Sequence, residues 1–242
     1  MGLSVIVPAY NEARRLRIHL PRLQEYLAQL GEACELIVVD DGSRDGAGEV
    51  VTELTTRHPE VRLLQTAENR GKGASVRRGM LAAREAHVLF TDADLSAPIE
   101  EAAKLRAKLA EGYDVAIGSR RLAQSEILTR QPWRRRLAGR AFSSFVSMTF
   151  LPGVKDSQCG FKAFRRPAAE AIFRRQRLDG FGFDVEVIWL ARYLGYRVVE
   201  VPVVWRDDPA SHIRLVRDSA RMLLDLWRLG LNVWRGRYEL ER

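Results

Sequence analysis

Asp92-Ala93-Asp94 closes a short apolar run, His87–Thr91, that reads as a buried strand. Two carboxylates one residue apart, where a strand opens into a loop, can face one ligand pocket. Hard divalent cations such as Mg²⁺ or Mn²⁺ take oxygen ligands of this kind and usually share them with substrate phosphates. Aspartates also punctuate strand ends as simple turn formers, so the pair carries more weight because it is not alone. Leu36-Ile-Val-Val39 runs directly into Asp40-Asp41-Gly42-Ser43, a second apolar strand ending in acids.

The surrounding pattern explains how these acids could meet. Leu3–Pro8, Glu35–Val39, Val61–Gln65, His87–Thr91 and Val115–Gly118 read as strands. Helical spacing intervenes over Asn11–Leu30, where Leu16, Leu20, Leu23, Leu27 and Leu30 share a face, and helices are expected over Gly48–Arg57 and Ser75–Ala86. Pro98 is suited to open another helix, to Glu111. Strands alternating with crossover helices imply an α/β fold with a mostly parallel sheet. Ligands of such sheets bind beyond the carboxyl ends of the strands, where Asp40, Asp41, Asp92 and Asp94 fall.

After Arg120 the rhythm changes. Arg130–Arg140 holds five arginines and no acid, Ala141–Leu151 is apolar, and Asp156–Arg166 reads as a strand or a hairpin. Helices over Pro167–Arg175 and Asp184–Leu194 precede a strand, Arg197–Trp205. The last segment is amphipathic: Ile213, Val216, Ala220, Leu223, Trp227, Leu231 and Trp234 form one stripe, with Arg214, Arg217, Asp218, Arg221, Asp225, Arg228, Asn232 and Arg235 opposite. A division into 1–210 and a C-terminal helical segment, 211–242, follows.

The 242 residues, 46% of them hydrophobic and 29% charged, are enough for one large α/β domain. A net charge of +8, with a pI near 9.9, points to an anionic partner: nucleic acid, an anionic membrane or a phosphorylated substrate. No apolar stretch approaches the roughly 20 residues of a spanning helix, and the N-terminus lacks a signal-peptide pattern. Cys34 and Cys159 have no metal-ligand spacing and read as reduced thiols.

Several nucleotide and hydrolase signatures are missing. Thr66 stands where a Walker A loop needs its first glycine, and Val76 where a dinucleotide fingerprint needs its third. There is no Gly-x-Ser-x-Gly elbow and no His-Glu-x-x-His pair. Metal-assisted chemistry on a diphosphate substrate remains, and Gly71–Gly73 is either a loop-to-helix turn or a donor contact.

Ser4-Val-Ile-Val-Pro-Ala-Tyr-Asn-Glu12, Val38-Val-Asp-Asp-Gly-Ser43, Asn69-Arg-Gly-Lys-Gly73 and Asp92-Ala-Asp94, in this order, resemble an inverting family 2 glycosyltransferase. Gly118-Ser-Arg120, Arg130-Gln-Pro-Trp133, Asp156-Ser-Gln-Cys-Gly-Phe-Lys162, Glu200-Val-Pro-Val-Val-Trp205 and Arg217-Asp-Ser219 narrow the resemblance to dolichyl-phosphate and polyprenyl-phosphate β-glucosyltransferases. The resemblance implies a GT-A fold and transfer of glucose from UDP-glucose to a polyprenyl phosphate. The alternatives are a GDP-mannose-dependent mannosyltransferase of the same kind and, from another class, a basic nucleic-acid-binding protein or peripheral-membrane scaffold. The ordered motifs argue against nucleic acid as partner.

By the same resemblance, Pro8, Tyr10, Glu12, Val39, Asp41, Asp92, Ala93, Asp94 and Lys72 contact the nucleotide sugar. Asp94 and Asp92 bind Mg²⁺ or Mn²⁺ with Ser96 behind them, and Arg120 reaches the diphosphate or the acceptor. Arg135 and Arg140, with Arg136 if the register slips, match the acceptor-phosphate arginines, and Lys162 is a further phosphate candidate. Asp184 occupies the place of an acceptor-side carboxylate, although a lipid phosphate, already ionised, needs no general base. Relatives carry Gly-Ser-Lys where this chain has Ala210-Ser211-His212-Ile213-Arg214, so either Arg214 substitutes or the donor pocket is looser. Ala141–Leu151 and the C-terminal stripe suit interfacial helices, and the chain is expected to be peripheral or monotopic, at the cytoplasmic face of a membrane.

Overall fold

The computed structural model describes residues 1–129, 133–207 and 215–239, with the side chains of 133–136, 138 and 215–219 outside the description. Its central sheet has seven strands in the order β3-β2-β1-β4-β7-β5-β8. These are β1 (Leu3–Ala9), β2 (Cys34–Asp40), β3 (Val61–Gln65), β4 (His87–Thr91), β5 (Val115–Ser119), β7 (Phe161–Arg165) and β8 (Val198–Pro202). All pairings are parallel except those of β7, which runs antiparallel between β4 and β5. Strands β1, β4 and β5 are buried along their whole length, as expected of a sheet covered on both faces.

On one face lie α1 (Ala13–Gln29), α2 (Ala47–Thr55) and α4 (Ala102–Ala110). Leu16, Leu20, Leu23 and Leu27 of α1 pack onto Val5, Val7, Leu36 and Val38, so the leucine spacing in the sequence is the inward face of that helix. On the other face lie α3 (Lys72–Ala82), α6 (Arg166–Phe173) and α7 (Phe183–Tyr193). There Phe90, Phe164, Phe173 and Phe183 form linked aromatic pairs with centroids 5.4 to 6.4 Å apart.

Several boundaries differ from the sequence expectation. The Asp156–Arg166 stretch is a loop followed by β7 rather than a hairpin, because β7 finds its partners in β4 and β5 and not in a neighbouring strand. The strand expected over Arg197–Trp205 breaks at Val203, and its end, β9 (Val204–Arg206), pairs with the unanticipated β6 (Glu126–Thr129). Helix α5 (Trp133–Thr149) begins inside the arginine run instead of at Ala141. The helix expected from Pro98 starts with a single 3-10 turn, Ile99–Glu101, before α4.

Over its described side chains, the last helix, α8 (Leu215–Trp234), docks on the body of the protein by a face other than the one that carries Leu223, Trp227 and Trp234. Asp225, Leu226, Leu229 and Asn232 are buried, whereas Leu223, Leu224, Trp227 and Trp234 are exposed. Polar anchors explain the orientation. Asp225 accepts the Gly182 N–H, Asn232 donates to the Tyr238 hydroxyl, and that hydroxyl donates to buried Glu186 of α7. Among the described residues, no helix is long and apolar enough to cross a membrane.

Candidate active site

Parallel β1, β2 and β4 lie side by side, so their carboxyl ends bring Pro8, Val39, Asp41, Asp92 and Asp94 to one edge. Leu95, between Asp94 and Ser96, has φ +46°, a left-handed backbone that a branched side chain rarely adopts. This tight turn is held by the Leu95 N–H on the Asp92 carbonyl at 3.1 Å and by the Ser96 N–H on Asp94 Oδ1 at 2.9 Å. Burial, then the neighbouring Asp92 charge, push the Asp94 carboxyl above its usual range.

Asp92 is flanked closely on both sides. Its Oδ1 lies 2.6 Å from Lys72 Nζ, at the start of α3. Burial lowers the Lys72 pKa, but the carboxylates of Asp92, Asp184 and Asp94 more than offset that, so the side chain stays cationic. On the other side stands Gly160, where a Cβ would lie 2.1 Å from Asp92 Oδ2. Any larger residue at 160 would have to displace the carboxylate.

The loop that carries Lys72 is fixed from below by Asp41. This carboxylate is 3% exposed and accepts the N–H of Arg70 and of Gly71, the latter at 2.7 Å, together with the Thr66 hydroxyl. Asp41 therefore serves the Gly71–Gly73 turn directly. Gly71 is required there: its φ is +114°, and a Cβ would meet the Asp179 carbonyl oxygen at 2.4 Å.

Arg120 leaves the end of β5 and is clamped by Asp156 from the loop before β7. Its backbone N–H, Nε and Nη2 donate to the Asp156 carboxylate at 2.9, 2.7 and 2.8 Å. Burial opposes the Asp156 charge, but the guanidinium prevails and brings its pKa down to about 2. The Arg120 guanidinium also lies 5.4 Å from the Trp205 ring centroid, a cation–π contact. Behind this loop, burial raises the Cys159 thiol to about 12, which makes it inert.

Other expected residues are placed differently. Tyr10 is exposed, and Glu12 forms an ion pair with Arg15 at 2.6 Å. Ala93 is buried. Lys162 is fully buried and donates to the Cys159 carbonyl and to Asp184, so its ammonium does not face an incoming phosphate. Asp184 is enclosed with it, and burial raises its carboxyl against the pull of Lys162 and Lys72. Arg140 lies exposed on α5. Arg135 and Arg136 fall on the same helix with side chains outside the described part, and His212 and Arg214 lie outside the described residues. Sequence reasoning gave no role to Asp156 or Gly160; the string containing them stood out, but only the three-dimensional contacts reveal what each touches.

Two carboxylates on one turn, the second with one oxygen held by Ser96, are oxygen donors of the kind a hard cation takes when it shares its ligands with a substrate phosphate. Among the described residues, no cluster of three or more His, Cys, Asp or Glu could hold a metal by itself. The donor set thus fits Mg²⁺ or Mn²⁺ shared with a substrate.

The sequence profile of glycosyl transferase family 2 matches residues 4–173. A dolichyl-phosphate β-glucosyltransferase of Dictyostelium discoideum is 34% identical, covering 94% of this chain and 76% of that protein. The human dolichyl-phosphate β-glucosyltransferase is 30% identical over 99% of this chain and 78% of its own length. Among solved structures, mannosyl-3-phosphoglycerate synthase from Rubrobacter xylanophilus superposes with a TM-score of 0.70 at 17% identity, covering all of this chain and 76% of the other. Glucosyl-3-phosphoglycerate synthase from Mycobacterium tuberculosis, with Mn²⁺ and UDP-glucose, gives 0.67 at 19% identity and covers 95% and 79%. The likeness to these structures establishes the expected GT-A fold.

Proposed function

Because the chain belongs to glycosyl transferase family 2, we propose that it transfers glucose from UDP-glucose to a polyprenyl phosphate of the dolichyl type, inverting the sugar's anomeric configuration. The observation that carries this function is the convergence of Asp92 and Asp94 at the end of β4 with the Asp156-clamped Arg120 at the end of β5. Only β7 separates these strands. One side suits a cation and a diphosphate; the other suits a second phosphate. The near full-length likeness to dolichyl-phosphate β-glucosyltransferases supports the same donor and acceptor.

Asp92 and Asp94 would hold Mg²⁺ or Mn²⁺, which supplies neutralisation of the charge that develops on the leaving nucleoside diphosphate. The chain's own groups do the rest. Lys72 offers an ammonium to the diphosphate, and Asp41 keeps the loop beneath it in place. Arg120, its planar fork fixed by Asp156 and Trp205, holds phosphate oxygens in line for attack. The acceptor phosphate is anionic at neutral pH and needs no base. The burial of Asp184 against Lys162 accords with this, since its carboxylate is already paired with an ammonium. Arg135, Arg136 and Arg140 on α5 are the further candidates for the acceptor phosphate.

Residues 211–242 are proposed as a membrane-interfacial segment on a 1–210 transferase domain. Trp227 is 66% exposed and Trp234 81% exposed, and Arg221, Arg228 and Arg235 lie along the same helix and its end. Aromatic side chains beside arginines suit the level of lipid headgroups, where a polyprenyl phosphate resides. The test is sugar transfer to a short polyprenyl phosphate with UDP-glucose, UDP-galactose and GDP-mannose offered separately. UDP-glucose should give the highest kcat/KM; preference for GDP-mannose would reassign the donor.

A further inference from the structure

Lys72 sets a positive charge directly against Asp92. Its ammonium lies 2.6 Å from Asp92 Oδ1, and the backbone around it is pinned on both sides. Before it, the Arg70 and Gly71 N–H groups bind the Asp41 carboxylate. After it, the Gly73 N–H donates to the Asp179 carbonyl at 2.8 Å. Its ammonium also lies 6.0 Å from the Phe183 ring centroid.

The other oxygen of Asp92 has little freedom. Gly160 backbone stands so close that an added Cβ would approach Oδ2 to 2.1 Å. Asp94 already spends one oxygen on the Ser96 N–H. Ca²⁺ and Mg²⁺ sites take about six or more oxygen ligands. This pair of carboxylates, with an internal ammonium on one of them, offers few ligands and little net negative charge. A diphosphate would change both terms at once, adding oxygen ligands for the metal and a new anionic partner for the lysine.

We propose that Lys72 is a resident counter-cation. It occupies Asp92 while the donor site is empty, keeps a free divalent cation from binding there, and transfers to the diphosphate when nucleotide and metal enter together. The inference rests on the UDP-sugar function proposed above. Its consequence is an obligatory order in which metal is captured as a nucleotide complex and is released with the leaving diphosphate. Asp92 is thereby neutralised in both states, by the lysine before the metal enters and by the metal afterwards.

The experiment is Mn²⁺ binding to the full chain, read by the electron paramagnetic resonance signal of free Mn²⁺, with and without UDP. Lys72→Met and Lys72→Gln should each bind Mn²⁺ alone at least about tenfold more tightly than the wild type, the effect of removing one competing charge at contact distance. Lys72→Arg should restore weak binding. In the wild type, UDP should strengthen Mn²⁺ binding by a larger factor than in Lys72→Met. Equal metal-only affinity in the wild type and in both neutral variants would overturn the role of Lys72. The metal-only arm decides that point by itself. Failure of the wild type to bind UDP with Mn²⁺ would overturn the proposed donor instead.

Discussion

Asp156 takes three hydrogen bonds from a single residue: the N–H, Nε and Nη2 of Arg120 all converge on its carboxylate within 2.9 Å. Asp156 is fully buried, and its own N–H donates to Glu200 at 3.0 Å. The loop before β7 thus fixes the arginine at the end of β5 in one orientation, with its planar fork aligned before any ligand arrives.

Removing that carboxylate should destabilise the protein as well as slow it. Asp156→Asn leaves a guanidinium without its counter-charge, at a cost of about 3 kcal/mol. The folded pKa near 2 lies below the ordinary 3.8, so the pair's contribution is complete above about pH 4 and fades as pH falls towards 2. Urea unfolding should therefore show a constant gap between the wild type and Asp156→Asn from pH 5 to 7, narrowing below pH 4. A gap that widened on acidification would assign the pair another role.

Gly160→Ala tests the clearance around Asp92. The added methyl would have to push the Asp92 carboxylate aside. Displacement of this order costs about 100-fold in turnover, while the thermal midpoint should stay close to the wild-type value. Activity within twofold of the wild type would mean that Asp92 has another place to go.

Asp41→Asn addresses the donor loop. The substitution keeps the shape but loses one charged acceptor for the Arg70 and Gly71 N–H groups. The loop should loosen, raising the donor KM by about tenfold, or ~1.4 kcal/mol, with a smaller change in kcat. A fall in kcat alone, with KM unchanged, would place Asp41 nearer the chemistry than the loop.

The outward face of α8 predicts lipid binding. Trp227→Ser with Trp234→Ser should lower partitioning onto anionic vesicles by about tenfold or more. Turnover of a short, water-soluble prenyl phosphate should be unchanged. Equal vesicle binding by the double variant would move the membrane contact elsewhere.

The chain's local patterns made much of this legible. Apolar strands of five to seven residues, one helix with leucines on a single face, and acids directly after two strands are all short-range features. They were enough to bring Asp41, Asp92 and Asp94 to one sheet edge. What stayed hidden depends on contacts far along the chain. The insertion of β7 pairs Thr91 with Phe161 and Ile117 with Lys162, and nothing local announces it. The same insertion encloses Lys162 with Asp184, so a lysine that resembled a phosphate ligand becomes part of the core. The outward stripe of α8 agrees with its reading as an interfacial helix; what stayed hidden is the face by which the helix docks. Asp225 and Asn232 find partners on the protein, and Leu223, Trp227 and Trp234 of the stripe remain outside.

The most direct measurement is transfer of radiolabelled glucose from UDP-glucose to a short polyprenyl phosphate after exhaustive chelation, followed by restoration with Mg²⁺ or Mn²⁺. Transfer should vanish with the metal, return when either ion is restored, and fail in Asp94→Asn that remains folded. Undiminished transfer by the chelated enzyme, or by Asp94→Asn, would contradict a cation held at Asp92 and Asp94.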